Sequence, residues 1–189
     1  MDSLRETNVM TLSTRLGNLC NILDESEKQC NFTILDSPFL YSVEYEALKK
    51  KFKSKSKEIH CTFDTDQESE SLSLENSIKK IQSDAEDAIR SGVEHILLTD
   101  RKINQKKAPI PMVLAVGAVH THLVRQGLRG FASINVQSSD TLDVHSFAVL
   151  IGVGATTINP YLLEKTILNR YKKNNFSNIN SSDALKYYK

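Results

Sequence analysis

The 189 residues fit one domain with some excess, at about 100–200 residues per domain. A composition that is 40% hydrophobic and 25% charged, with 7 Phe and 6 Tyr, supports a globular, soluble fold with a core of ordinary size. Lys and Arg number 24 against 23 Asp and Glu, and the net charge of +1 excludes the broad positive field of a nucleic-acid or anionic-membrane binder.

Membrane and export signals are missing from the sequence. The longest apolar runs, 112–119 and 147–155, are too short to span a bilayer. The polar start MDSLRETNV has no signal-peptide apolar region, so the cytoplasm is the expected location, and an Asn- and Lys-rich composition is equally compatible with a plastid. Cys20, Cys30 and Cys61 are odd in number and form no C-x-x-C, so neither a disulfide framework nor a zinc or iron–sulfur ligand set is expected.

Residues 1–58 read as an extended leading segment with a short helix. Its apolar groups, in LSTRLGNLCNIL and LDSPFL, follow no sustained period. EYEALKKKFKSKSK follows, where Tyr45 and Leu48 mark the helix and the lysines a solvated turn. Residues 59–172 read as an α/β core. IHCTFDT alternates as a strand, and Leu74, Ile78, Ile81, Ala85 and Ile89 recur at helical spacing between an expected Ser73 N-cap and Gly92 at C′. EHILLTD is a second strand. Pro109-Ile110-Pro111 opens a helix to about Gln126, ended by Gly127. FASINVQ is a third strand, and Asp140 is the expected cap of a helix reaching Ile151, with Asp143 at N3. ATTI is a fourth strand, after which Asn159 as N-cap and Pro160 as N1 start another helix. Residues 173–189 read as an Asn- and Ser-rich linker followed by the start of a further helix, ALKYYK.

Strands separated by helices predict βαβ units, hence a parallel sheet of about four strands with flanking helices. A part-barrel and a flavodoxin-like open sheet both satisfy this pattern.

Gly152 and Gly154 resemble a nucleotide-binding fingerprint only superficially. That motif needs its glycines between a strand and the helix it opens, whereas these follow a helix and precede a strand, with Thr157 at the third glycine position. A helix C-cap and a tight turn are expected instead. His120, His122 and His145 invite a metal reading, but residues two apart on a helix diverge by about 200°, so His120 and His122 cannot share one ion. No G-x-S-x-G or recognisable cysteine nucleophile is present. The remaining candidates are the polar residues at the strand ends, where α/β folds place ligands: Asp100, Arg101, Gln137, Ser138 and Asn159. They suit a contact surface better than a catalytic centre, and Asp100 and Arg101 are expected to pair with each other or cap a turn. In a second reading they bind a small anionic metabolite, such as 2-oxoglutarate, through Arg101.

A specific resemblance runs through LTDRKINQKKAPIPMVLAVGAVHTHLVRQGLR and FASINVQSSDTLDVHSFAVLIGVGATTINPYL. The Thr99–Arg101 strand end, the Ala108–Pro111 helix start, the Val119–Leu123 segment followed by Gly127–Arg129, and the Gly152–Tyr161 close are similar to the central domain of the large glutamate synthase polypeptide. Thr121 and Ser146 stand where that family carries histidines. The resemblance implies a parent enzyme with an amidotransferase domain that releases ammonia from glutamine and an FMN-binding barrel with an iron–sulfur cluster. There, 2-iminoglutarate formed from 2-oxoglutarate is reduced. Asp2 after Met1, the lack of cluster cysteines and the lack of a flavin barrel imply that the catalytic parts and cofactors lie outside this chain. The chain is then expected to be a non-catalytic connecting module that holds those two domains in register and lines the ammonia path, with Asp100, Arg101, His120, His122, Gln137 and Asn159 as interdomain or tunnel contacts.

Overall fold

The structure is a computed structural model and describes residues 10–19, 23, 27, 32–65, 70–173 and 185. Strands β1 (Thr14–Leu16) and β2 (Thr33–Leu35) form an antiparallel pair. Helix α1 (Ser42–Lys51) leads into β3 (Ser56–His60) and β4 (Thr62–Asp64). Next come α2 (Glu70–Arg90), β5 (His95–Thr99), β6 (Lys107–Pro109) and α3 (Met112–Arg125). The remaining elements are β7 (Ser133–Gln137), α4 (Val144–Gly152), β8 (Thr157–Asn159) and α5 (Tyr161–Lys173).

Strands β3, β5, β7 and β8 form one parallel sheet in that order, as the alternation of strands and helices predicts. The order is sequential and the sheet is open, without the reversal at a switch point that a flavodoxin-like order has. Pleating sends successive side chains to opposite faces. Ile59, Ile96, Leu98, Ile134, Val136 and Ile158 therefore face one way and pack with α2, α3 and α4 through Ile81, Ala85, Ile89, Val116, Val119, Leu123 and Leu150. The other face is covered by the leading segment, where Leu40 and Tyr45 pack on Leu97. Pro38–Leu40 also extends the sheet beside β8: the Leu40 N–H donates to Ile158 O at 2.9 Å and the Ile158 N–H to Pro38 O at 2.8 Å. The first sheet strand begins at Ser56.

Several local expectations change for tertiary reasons. The single strand expected at 59–65 is two strands in different sheets. The Cys61 N–H still donates to Thr99 O at 2.8 Å, but its carbonyl accepts the Ile110 N–H at 3.0 Å, and beyond it Thr62–Asp64 pairs antiparallel with β6, a strand not expected from the sequence. Ser73 lies within α2, not at its cap, and its Oγ donates to Asp64 O at 2.8 Å. The cap of α4 is Asp143, whose extended backbone suits the position and whose Oδ1 accepts Ser146 N–H at 2.7 Å. Asp140, the expected cap, serves α3 instead: its Oδ2 accepts the Met112 N–H at 3.1 Å, where Pro111 offers no side-chain cap. Asn159 is not an N-cap either, since its side chain is spent within the sheet as described below.

The glycine stops behave as expected. Gly92, Gly127 and Gly154 all have positive φ. At each, the paired bonds of a Schellman ending are present; at the last, Gly154 N–H donates to Ile151 O at 3.0 Å and Ala155 N–H to Leu150 O at 2.9 Å. Gly152-Val153-Gly154 is therefore the end of α4 and not a phosphate cradle. Cys20, Cys30 and the linker and helix expected at 174–184 and 186–189 lie outside the described residues.

Candidate functional site

The sequence candidates divide between the two ends of the sheet. Gln137 and Asn159 end adjacent strands in register, with Thr99 on the other side of Gln137. The three side chains form a chain of hydrogen bonds across the second face. Thr99 Oγ1 donates to Gln137 Oε1 at 3.1 Å, Gln137 Nε2 donates to Asn159 Oδ1 at 2.9 Å, and Asn159 Nδ2 donates to Leu40 O at 2.9 Å. All three are buried, Asn159 at 0% exposure. A parallel row lies one pleat earlier, where Thr157 Oγ1 donates to Asn135 Oδ1 at 2.8 Å, Asn135 Nδ2 donates to Ser133 Oγ at 3.1 Å, and Ser133 Oγ meets His95 Nδ1 at 2.9 Å. Buried amides and hydroxyls are tolerated here because each finds a partner in the next strand.

Asp100 and Arg101 follow β5 and do not pair with each other. Asp100 Oδ2 accepts from Ser139 N–H at 2.7 Å and Ser139 Oγ at 2.6 Å, so the carboxylate caps the turn after β7. The residue is 2% exposed, and its Oδ1 has no hydrogen-bond partner among the described residues. Arg101 turns outward: its guanidinium carbon lies 4.7 Å from the Tyr161 ring centroid and Nη1 is 3.7 Å from Glu46 Oε1. Burial, then the charge of Asp100, push the Tyr161 hydroxyl up to about 12, which keeps it a neutral donor. Ser138 and Asp140 hydrogen-bond to each other, and Thr141 Oγ1 donates to Ser138 Oγ at 3.0 Å, completing a rigid loop against the start of α3.

His120 and His122 lie toward the far end of α3 and diverge as their spacing requires. His122 Nε2 is 2.6 Å from Glu86 Oε2 on α2, and Glu86 Oε1 also receives Arg90. His120 Nδ1 accepts from Arg129 Nε at 3.0 Å. Burial and the adjacent Arg129 cation hold the His120 imidazole below its ordinary pKa, so it is neutral at pH 7 with its proton on Nε2. His145 is exposed on α4. Among the described residues no group of three or more His, Cys, Asp or Glu side chains could hold a metal. Cys61 is buried and its thiol is pushed up to about 12 by burial, so it is a poor cluster ligand. The described residues do not fit an iron–sulfur cluster. No described helix is long and apolar enough to cross a membrane.

Two positioning residues escape a local reading of the sequence. Arg129 joins three segments, with Nη1 donating to Ala132 O at 2.7 Å and Nη2 to Gly154 O at 2.9 Å. Glu164 of α5 accepts the first N–H of α1 at Ser42, at 2.8 Å, and so clamps the leading segment to the core. Only the Gly-Leu-Arg match hinted at Arg129.

Thr99, Gln137, Asn159 and one carboxylate oxygen of Asp100 are thus engaged within the sheet and its loops. The family model of the glutamate synthase central domain matches residues 1–189. The chain is 45% identical over 189 residues to the large chain of the NADPH-type glutamate synthase of Azospirillum brasilense, covering 100% of this chain and 12% of that protein. It is 38% identical over 168 residues to the chloroplastic ferredoxin-dependent glutamate synthase of spinach, 88% of this chain and 10% of that protein. With the NADH-type glutamate synthase of Saccharomyces cerevisiae the identity is 32% over 188 residues, 97% of this chain and 9% of that protein. The chain thus spans about an eighth or less of these relatives' length and belongs to the glutamate synthase central-domain family.

Proposed function

We propose that the chain is the non-catalytic connecting module of a glutamate synthase, holding the glutamine amidotransferase and FMN-binding domains in register and lining the path of ammonia between them. The core at 59–172 is the rigid part, the leading segment 1–58 and the linker 173–189 are the joints to its neighbours, and the cytoplasm or a plastid is the setting. The parent activity is then glutamate synthesis from glutamine and 2-oxoglutarate, with FMN and the iron–sulfur cluster held by other parts of the polypeptide.

The observation that carries this reading is the fate of the polar strand ends. Thr99, Gln137 and Asn159 spend their hydrogen bonds on one another, and Asp100 on Ser139, which favours fixed geometry over turnover. Beside them, the loop into α4 and the first turns of α3 present apolar side chains to solvent: Leu142, Val144, Val113 and Leu114. Such exposure suits a surface that a neighbouring domain covers. A channel between active sites needs walls that exclude water and keep their spacing, and a close-packed α/β core provides both.

The test is a coupling measurement on the full enzyme that carries this chain. Val144→Asp and Leu142→Asp, both at exposed positions, leave the fold intact and raise the ratio of glutamine hydrolysed to 2-oxoglutarate consumed. Coupling that stays at one to one in both variants, with unchanged rates, overturns the proposal.

A further inference from the structure

The two edges of the parallel sheet are built differently. Along β8 lies the leading segment, where Phe39 bridges Ile158 in parallel and Leu40 N–H donates to Ile158 O at 2.9 Å. At the other edge, β3 pairs with β5 and, among the described residues, with no further strand. Cys61 N–H donates to Thr99 O at 2.8 Å, and backbone groups alternate sides along a strand. Lys57 and Ile59 therefore bond to β5, while Ser56, Glu58 and His60 turn their N–H and C=O groups to the open side. Beside them runs a groove of about 720 Å³, walled by α2 and by residues 102–104. His60 lines it, and its buried Nδ1 has no hydrogen-bond partner.

An open strand edge recognises another extended backbone, which presents donors and acceptors at the matching spacing. The side chains around the groove narrow the choice. Four of its lining residues are lysines, Lys57, Lys80, Lys102 and Lys107, against the three carboxylates Glu58, Asp64 and Asp84. Glu58 is held at 2.5 Å by Lys49, and Asp64 faces Lys107 at 3.8 Å. Lys57, Lys80 and Lys102 then outweigh Asp84, which favours an acidic occupant. A second copy of β3 does not fit, because antiparallel self-pairing centred on Lys57 or on Glu58 sets like charges directly opposite each other.

From this geometry we infer that the open edge of β3 is a docking site for an extended polypeptide segment, from outside these residues, that carries acidic side chains at alternating positions. Its backbone pairs with Ser56, Glu58 and His60 as a further strand of the sheet, and its acidic side chains meet Lys57, Lys80 and Lys102. The lysines serve two ends: they deter a basic strand and a second copy of the chain, and they attract the acidic one. The site is separate from the connecting role and stands without it.

Residue-resolved amide hydrogen exchange on the full chain tests the inference. Alone, the chain should protect the Lys57 and Ile59 amides, which face β5, and leave those of Glu58 and His60 open to exchange. Glu58 and His60 amides that are already as protected as Ile59 show an edge closed by the chain itself and overturn the inference. The probe is a capped peptide of about seven residues, the length of an ordinary strand, alternating glutamate and threonine; its counterpart alternates lysine and threonine. At millimolar concentration and low ionic strength the acidic peptide should slow exchange at Glu58 and His60 at least tenfold, and the basic peptide should not. The double variant K57E/K80E, at two exposed positions, should abolish the effect of the acidic peptide while keeping the thermal midpoint. No slowing by the acidic peptide, equal slowing by both peptides, or slowing unchanged within twofold in the double variant overturns the inference.

Discussion

Gly154→Ala tests how the turn between α4 and β8 is built. Gly154 has φ +117, a conformation that costs an alanine about 1–2 kcal/mol. The new methyl group also has nowhere to go: it would overlap Nδ1 and Cγ of the His120 ring and lie 2.9 Å from its Cβ. Relief requires the imidazole to move, which breaks the 3.0 Å bond from Arg129 Nε. A hydrogen bond to a charged group is worth about 1.5–3 kcal/mol. The total expected loss is about 2.5–5 kcal/mol, the sum of these two effects. Gly92→Ala is the matched control, since Gly92 has φ +93 with nothing within 4 Å of a built Cβ, and should cost only the backbone part, about 1–2 kcal/mol. Urea unfolding followed by circular dichroism measures both. With a slope of about 1–3 kcal/mol/M, the gap between the two midpoints is of order 1 M. Equal losses in the two variants would refute the close-approach argument and leave φ as the sole cause.

The remaining predictions address caps, charge and pH. Burial lowers the His95 pKa to about 4, so between pH 6.5 and 4 the unfolded chain binds more protons than the folded one. Stability is full above about pH 6.5 and falls by about 3 kcal/mol as pH drops through 4; urea midpoints across that range should flatten in His95→Gln, and an unchanged slope would remove His95 as the cause. Asp140→Ala strips the cap from Met112 N–H and should cost about 1–2 kcal/mol, a loss that Asp140→Asn largely restores in the same unfolding assay. Arg101→Ala removes an exposed contact 3.7 Å from Glu46 and should change stability by under about 1 kcal/mol, so a larger calorimetric shift would contradict the weak-pair assignment.

The division of labour between sequence and tertiary structure follows the range over which each force acts. Hydrophobic period, Gly92, Gly127 and Gly154 as helix stops, and the apolar, β-compatible runs around Ile96–Leu98 and Ile134–Val136 operate within a few residues, and so the order of the four parallel strands and the helices between them was legible from the chain alone. The divergence of His120 and His122 was legible for the same reason, being set by the helical step. The family resemblance was legible because its motifs are contiguous. What neighbours a given side chain was not. Asp140 looks like the cap of the helix that follows it, but it caps α3 across 28 residues, and Glu164 caps α1 across 122. Asn159 looks like an N-cap before Pro160 and is instead the end of a buried amide chain that exists only because β5, β7 and β8 pair in one register. Arg129 likewise acquires its role from three segments that meet only in the folded sheet. Local steric and hydrophobic preferences determined which elements form; strand register, which depends on how the whole sheet packs, decided which polar groups meet.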